Sequence, residues 1–308
     1  MVTTSAVDVV GAARRAVGPV GVFLPVSFTD AMSIDLQREA VGRLERAGYR
    51  TAWTNEVIGK DALVQLAMLL GATERMVFGT GIANVWARSP QTMHAAAAQL
   101  VQAHPGRFVL GLGVGHPEQA VSVGREFGRP LATMRDYLER MDSPTSPPAP
   151  EVNYPRILGA NGPKMLELAG KLADGALPAG LPPKFTAHAR QVLGPDKLLV
   201  VGLSLVVDRD LDRARAVARE RAAASLGRPS YAATMVRVGY PDREIAEVSD
   251  HLVDAIVAHG DPAAITATVR AHLAAGADHV MLLLPPGGDF SLGVDQLEGL
   301  APALTAIG

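Results

Sequence analysis

The sequence contains no cysteine. Disulfide bonds, thiol nucleophiles and zinc sites built on thiolates are therefore excluded. The absence suits a reducing compartment, and we expect a cytoplasmic protein.

The chain also has few aromatic side chains and a small net charge. Aromatic residues make up 5% of the chain against 48% hydrophobic residues, so a large core must be built mainly from Ala, Val and Leu. The net charge is −2 without a block of like charge, unlike the basic surface of a nucleic-acid-binding protein. No apolar run approaches the ~18 residues of a membrane span. We expect neither a nucleic-acid partner nor a membrane partner.

Short apolar segments alternate with helical ones along most of the 308 residues. This rhythm predicts a (β/α)8 TIM barrel, which we expect to be a single domain over 1–308 with an N-terminal extension at 1–18. A doubly wound sheet is the alternative, but such a sheet usually carries its glycine motif after the first strand. The eight predicted strands are 20–26, 51–56, 76–85, 107–115, 156–161, 176–181, 198–207 and 279–286.

Capping residues define several of the predicted helices. Ser33 precedes one helix, and Ser89 with Pro90 opens another. We expect one helical stretch over 118–141 and several Ala/Arg-rich helices over 211–259. Asp261 and Pro262 are expected to open the last long helix.

The segment FVLGLGVGHPEQ superficially resembles a dinucleotide-binding motif. A true G-x-G-x-x-G motif joins a strand to a helix, but here the third glycine is misplaced and the first two lie inside the apolar run. We interpret Gly113 and Gly115 as making room for a flat or bulky group, with His116 at the rim of the barrel. Alternatively, the small residues only relieve crowding in the barrel.

Four segments together carry a family resemblance that covers most of residues 20–286. They are FGTGIANVWARSPQTMHAAAAQL, HPGRFVLGLGVGHPEQ, RILGANGPKMLELAGKLADGALP and GDPAAITATVRAHLAAGADHVMLLLP. The chain resembles the bacterial luciferase-like flavin and deazaflavin enzymes, more narrowly their coenzyme F420-dependent oxidoreductase branch. The resemblance implies a luciferase-like barrel, commonly a homodimer, that holds an isoalloxazine-type ring at the ends of its strands.

The resemblance also implies which strand ends hold the cofactor. A non-proline cis peptide between Gly81 and Ile82, followed by Ala83, would lie behind the ring; the alternative is an ordinary strand end. The loop Gly159, Ala160, Asn161 and Gly162 precedes a helix and would bind the cofactor phosphate. Gln119 would face the polar edge of the ring, unless it is a surface helix residue.

Glu56 and His116 are the predicted catalytic residues. The best-known deazaflavin dehydrogenases of the family place a histidine after an aspartate at the second strand and a glutamate at the fourth. This chain has Asn55 and Glu56 at the first position and His116 at the second, so the two functions exchange strands. We expect one group to orient the substrate and the other to relay a proton, with Asn55 near the cofactor. The alternatives are a solvated carboxylate for Glu56 and a packed helix-start residue for His116.

The resemblance predicts an oxidoreductase that transfers a hydride between coenzyme F420 and an unidentified organic substrate. An FMN-dependent monooxygenase and a non-catalytic flavin- or F420-binding protein are the alternatives. The histidines show no close-paired ligand spacing, and we expect no metal site. The loops at 27–32 and 181–185 are expected to wall the substrate pocket.

Overall fold

The computed structural model describes residues 8–26, 32–57 and 59–307. Most of the predicted pocket loop at 27–32 lies outside these residues. The strands are β1 Val20–Phe23, β2 Thr51–Thr54, β3 Val77–Thr80, β4 Ala83–Asn84, β5 Phe108–Gly113, β6 Arg156–Gly159, β7 Gly175–Leu177, β8 Leu198–Val207, β9 Val257–Gly260 and β10 His279–Leu283. The helices are α1 Val9–Val17, α2 Ile34–Arg46, α3 Ala62–Leu70, α4 Pro90–Ala103, α5 Pro117–Val121, α6 Pro130–Met141, α7 Pro163–Leu172, α8 Pro183–Leu193, α9 Leu211–Leu226, α10 Pro229–Arg237, α11 Asp242–Glu247, α12 Asp250–Ile256, α13 Pro262–Ala274 and α14 Phe290–Leu304.

The parallel strands close into a barrel. The order is β1, β2, β3, β5, β6, β7, β8 and β10, and β10 pairs with both β8 and β1. The predicted (β/α)8 TIM barrel is confirmed. Because all barrel strands run in one direction, their carboxyl ends share one face, where such barrels place their functional groups.

Two strands differ from the prediction. The expected third strand at 76–85 is interrupted after Thr80, and its continuation, β4, pairs with β5. The expected helical region at 211–259 ends in β9, which pairs with the carboxyl half of β8. β9 follows α12 directly, with no glycine or proline between them, so the sequence offers no boundary there.

The structure also differs from the prediction in two helical regions. The stretch at 118–141 is two helices, because Gly124 and Gly128 adopt positive φ angles and Pro130 begins α6. α13 is not the last long helix, since α14 follows with Asp289 as its N-cap. Ser33 and Ser89 cap α2 and α4 as predicted.

The amino ends of the strands are covered by α1. Its buried residues Ala13 and Val17 pack into the same apolar cluster as Val77 and Leu198, which begin β3 and β8. Residues 9–17 are therefore part of the barrel packing, not an extension outside it. Local hydrophobic periodicity could not distinguish the two cases, because α1 is a single short helix.

A hydrogen-bonded pair lies inside the barrel. Trp53 Nε1 donates to Nε2 of His279 at 2.9 Å, so Nδ1 of His279 carries the proton and donates to Gly18 O at 2.7 Å. Burial lowers the pKa of His279 to about 4, which keeps the ring neutral. Gly79 leaves the space that the Trp53 ring fills, since a Cβ there would lie 2.2 Å from it.

No helix in the described part of the chain combines the length and apolar character that a membrane crossing requires.

Candidate active site at the carboxyl ends of the strands

Glu56 lies just beyond β2 and is buried, with 4% of its surface exposed. Oε1 accepts from Arg88 Nη2 at 2.6 Å and from the Ala62 N–H at 3.3 Å. Oε2 accepts from the Asn84 N–H at 2.8 Å and from Arg88 Nη1 at 3.2 Å. The carboxylate is not solvated; it ties the end of β2 to β4, α3 and the loop before α4.

Arg88 joins this carboxylate to a second one. Its Nη2 lies 2.6 Å from Oδ2 of Asp61, which also caps α3. Burial acts to lower the pKa of Arg88, but Glu56 and Asp61 outweigh it and raise the value. Burial likewise acts to raise the pKa of Asp61, but hydrogen bonds from Val64 and Arg88 hold it below its usual value. Arg88 and Asp61 therefore both carry charge at neutral pH.

Lys60 is a site residue that sequence reasoning missed. Its Nζ donates to Thr54 Oγ1 at 3.0 Å and to Asn55 Oδ1 at 2.9 Å. Burial lowers the pKa of Lys60 to about 8, against the opposing effect of the Glu56 charge. The signal in the sequence is weak, because Lys164 and Lys184 also follow predicted strand ends within a few residues, so this position alone does not single out Lys60.

Three strand ends meet at Ile82. The Gly81–Ile82 peptide bond is cis, as the resemblance implies. A Cβ at Gly113 would lie 2.6 Å from Cγ1 of Ile82, and one at Gly159 would lie 3.2 Å from its Cγ2. The room that these glycines leave is occupied by the Ile82 side chain rather than opening directly onto the mouth. Ile82 O accepts the Glu56 N–H at 2.9 Å, which joins this contact to the charged cluster, and Ala83 beside it is buried.

Beyond β5, Gln119 acts as a cap. Its Oε1 accepts the His116 N–H at 2.9 Å, and it fills the space beside Gly115, which has a φ of 58°. His116 is exposed. Partial desolvation and the Arg228 charge lower the pKa of His116. The imidazole is therefore mainly neutral at pH 7.

A cavity of about 450 Å³ brings some of the predicted residues together. Glu56 and Gln119 line it together with Lys60, Trp86 and Arg88. His116 is not part of its wall, so within the described residues this cavity does not unite the predicted Glu56–His116 pair. Their catalytic functions stay predictions.

The loop after β6 connects two strand ends and leaves a helix end open. The Asn161 amide donates to Ala179 O at 3.2 Å and accepts the Ala179 N–H at 2.9 Å. Ala160 is buried and donates its N–H to Leu177 O. Gly162 is the N-cap of α7 and supplies no capping side chain, and a Cβ there would meet nothing within 4 Å. No side chain at this N-cap therefore accepts from the first N–H groups of α7.

Within residues 8–26, 32–57 and 59–307, no cluster of three or more His, Asp or Glu side chains could hold a metal ion.

The chain is similar in sequence to enzymes named as reductases and oxidoreductases. It is 31% identical over 178 residues to a putative coenzyme F420-dependent oxidoreductase of Mycobacterium tuberculosis, covering 47% of this chain and 51% of the relative. It is 28% identical over 203 residues to 5,10-methylenetetrahydromethanopterin reductase of Archaeoglobus fulgidus, covering 57% and 61%. The matches thus span only about half of these relatives.

Solved structures share the fold over nearly the whole chain. An F420-dependent secondary alcohol dehydrogenase, in complex with an F420–acetone adduct, superposes with a TM-score of 0.71 at 17% identity, covering 93% of this chain and 99% of that one. An FMN-bound type II Baeyer–Villiger monooxygenase of Pseudomonas putida gives 0.69 at 13% identity, covering 94% and 98%.

The family profile of luciferase-like monooxygenases matches residues 19–279, which is most of the barrel. The resemblance seen in the sequence motifs is therefore confirmed. The chain belongs to the luciferase-like monooxygenase family of enzymes.

Proposed function

We propose that the protein is a coenzyme F420-dependent oxidoreductase that transfers a hydride between the deazaflavin and an organic substrate. The observation that carries the proposal is the packing of Ile82 against Gly113 and Gly159, which builds an apolar floor where three strand ends meet. The putative F420 dependence in the name of the Mycobacterium tuberculosis relative supports this choice of cofactor.

The described residues fit such a cofactor. Gly81 and Ile82 are partly exposed and offer an apolar surface on which a flat ring can lie, whereas Ala83 is buried. The uncapped start of α7 at Gly162 offers N–H donors and the positive end of a helix dipole to a phosphate. When bound, F420 supplies or accepts a hydride at its ring, while the protein supplies geometry and proton transfer.

In this proposal the two predicted catalytic residues differ in function. Glu56 orients the site, because its hydrogen bonds to Arg88 and Asn84 fix the ends of β2 and β4. His116 contributes a neutral, exposed imidazole at the rim that can exchange protons with water. Gln119 holds the His116 backbone in place through its cap.

An FMN-dependent monooxygenase is the second candidate, since an FMN-bound enzyme shares the fold and the same floor would accept a flavin ring. Titration of the purified protein with F420 and with FMN, followed by fluorescence, separates the two. We expect F420 to bind tightly and FMN weakly. Tight binding of FMN alone would refute the proposal, and F420 binding without any turnover would favour a non-catalytic binding protein.

Gly162→Asp tests the phosphate site without disturbing the fold. Gly162 has a φ of −116° and open space around its Cβ, so aspartate fits and caps α7. We expect unchanged or higher stability together with F420 affinity lowered about tenfold or more, because the carboxylate repels a phosphate. Gly162→Asn, which introduces a neutral capping side chain, is the matched control and should lose less F420 affinity. Equal F420 affinity in both variants would refute phosphate binding at this helix end.

We also propose a homodimer, as the family resemblance implies, and a cytoplasmic location, which the absence of cysteine suits. Light scattering of the purified protein tests the dimer, and a monomeric mass would contradict it.

A further inference from the structure

Lys60 has no assigned part in the proposed function, although it lines the cavity with Glu56 and Arg88. An ammonium group has three N–H donors. Two of them bind Thr54 Oγ1 and Asn55 Oδ1, and the third has no acceptor among the described residues. One N–H of Lys60 therefore remains available to a molecule in the cavity.

A chain of buried hydrogen bonds fixes the position of this ammonium. Met32 O can only accept, so it receives the Gln37 amide N–H at 3.1 Å. The Gln37 oxygen then receives the Gln65 amide N–H, and the Gln65 oxygen receives the Thr54 hydroxyl at 2.9 Å. Since the Thr54 proton is already donated, Thr54 can only accept from Lys60.

The carboxylates nearest to Lys60 in the chain are already engaged. Glu56 binds Arg88 and two backbone N–H groups, while Asp61 binds Arg88 and caps α3. In the described part of the chain, Lys60 forms no ion pair within 4.0 Å. Its pKa of about 8, lowered by burial, allows proton exchange near neutral pH.

We propose that Lys60 is a catalytic residue that donates a proton to a substrate oxygen while the neighbouring carbon receives the hydride. The inference rests on the proposed F420 dependence and names aldehydes, ketones and the corresponding alcohols as the substrate class. In reduction, the carbonyl π bond would break, and bound reduced F420 would supply the hydride pair of the new C–H bond and thereby become oxidised. Lys60 would supply the proton of the new O–H bond. The neutral amine then takes a proton from water, and alcohol oxidation reverses each step.

The test compares Lys60→Met with the wild type and with Lys171→Met, an exposed lysine on α7. Each protein is titrated with F420 and then mixed with reduced F420 and a panel of small aliphatic and aromatic aldehydes and ketones. Turnover is followed by the return of the absorbance of oxidised F420. We expect Lys60→Met to bind F420 like the wild type and to turn over ~10²–10⁴-fold more slowly. Lys171→Met should match the wild type in both measurements.

A pH profile separates proton donation from a merely structural function. Glu56, Asp61 and Arg88 line the same cavity as Lys60. The pKa of Asp61 is lowered and that of Arg88 is raised, so these two groups keep their charges over the range tested. The wild-type reduction rate should therefore fall above about pH 8 as Lys60 deprotonates. Lys60→Arg should be slower and should lose this limb, because a guanidinium keeps its proton.

Three outcomes overturn the inference in different ways. A wild type that binds F420 but reduces no carbonyl of the panel refutes the substrate class. A Lys60→Met variant with the wild-type rate and the wild-type high-pH limb refutes the catalytic function. A wild type that does not bind F420 refutes the proposed function itself, and this inference with it.

Discussion

At the scale of single residues, the buried Glu56–Arg88 pair dominates the site. Glu56→Gln removes the negative charge and turns an amide NH2 towards an N–H donor, either that of Ala62 or that of Asn84. Arg88 then keeps only the half-exposed Asp61 as a counter-charge. We expect a loss of roughly 3 kcal/mol in the free energy of unfolding, measured by urea denaturation.

The control is Glu247→Gln, which breaks an exposed pair with Arg243 and should change the unfolding midpoint little. If both variants unfolded at the same urea concentration as the wild type, the buried pair would not stabilise the loops around it.

The same scale shows the limit of sequence reasoning about the site. Strand ends at 55–56, 81–83 and 113–116 could be predicted, because each follows an apolar run with glycines or polar residues. The partners of Glu56 could not, since Arg88 lies 32 positions away and only the fold brings the two together. Lys60 could not be predicted for a similar reason. Its pKa is lowered by burial in the fold, which its neighbours in the sequence do not reveal.

At the scale of elements, α1 belongs to the barrel. Val17 is fully buried in the inner apolar cluster, and its carbonyl accepts the Thr51 hydroxyl at 2.7 Å. We expect Val17→Ala to cost about 2 kcal/mol in stability and to speed amide hydrogen exchange in α1. Val10→Ala, on the less buried part of the helix, should cost less. If Val17→Ala changed neither the stability nor the hydrogen exchange of α1, the helix would instead be a detachable extension.

The elements that were predicted correctly share a physical feature. The barrel strands are short apolar runs bounded by glycine, proline or polar residues, which makes them visible in the sequence. β9 lacks such a boundary at its start, because it follows α12 directly, and α1 is a short helix that precedes the first strand. Their positions depend on long-range packing against β8 and the barrel interior.

At the scale of the whole molecule, two buried histidines link stability to pH. Burial lowers the pKa of both His272 and His279 to about 4, whereas in the unfolded chain each returns to about 6.5. Between pH 6.5 and 4 the unfolded chain thus binds up to two more protons than the folded protein. The stability present above pH 6.5 is therefore lost as pH falls, by up to about 1.4 kcal/mol per pH unit for each histidine.

Urea unfolding at pH 7.5, 6 and 5 measures this dependence (values chosen to bracket the ~6.5 of a free histidine). His279→Gln keeps an acceptor for Trp53 and a donor for Gly18, and should flatten the slope by about half. A wild-type slope near zero would contradict neutral burial of these rings.

The placement of the two tryptophans has an optical consequence. Trp53 is fully buried in the barrel and bonded to His279, while Trp86 is partly exposed on the cavity wall. Emission from Trp53 should therefore report loss of the fold, and emission from Trp86 should report occupancy of the cavity. With no other tryptophan in the chain, replacing either one by phenylalanine leaves a protein with a single built-in fluorophore for one of the two events.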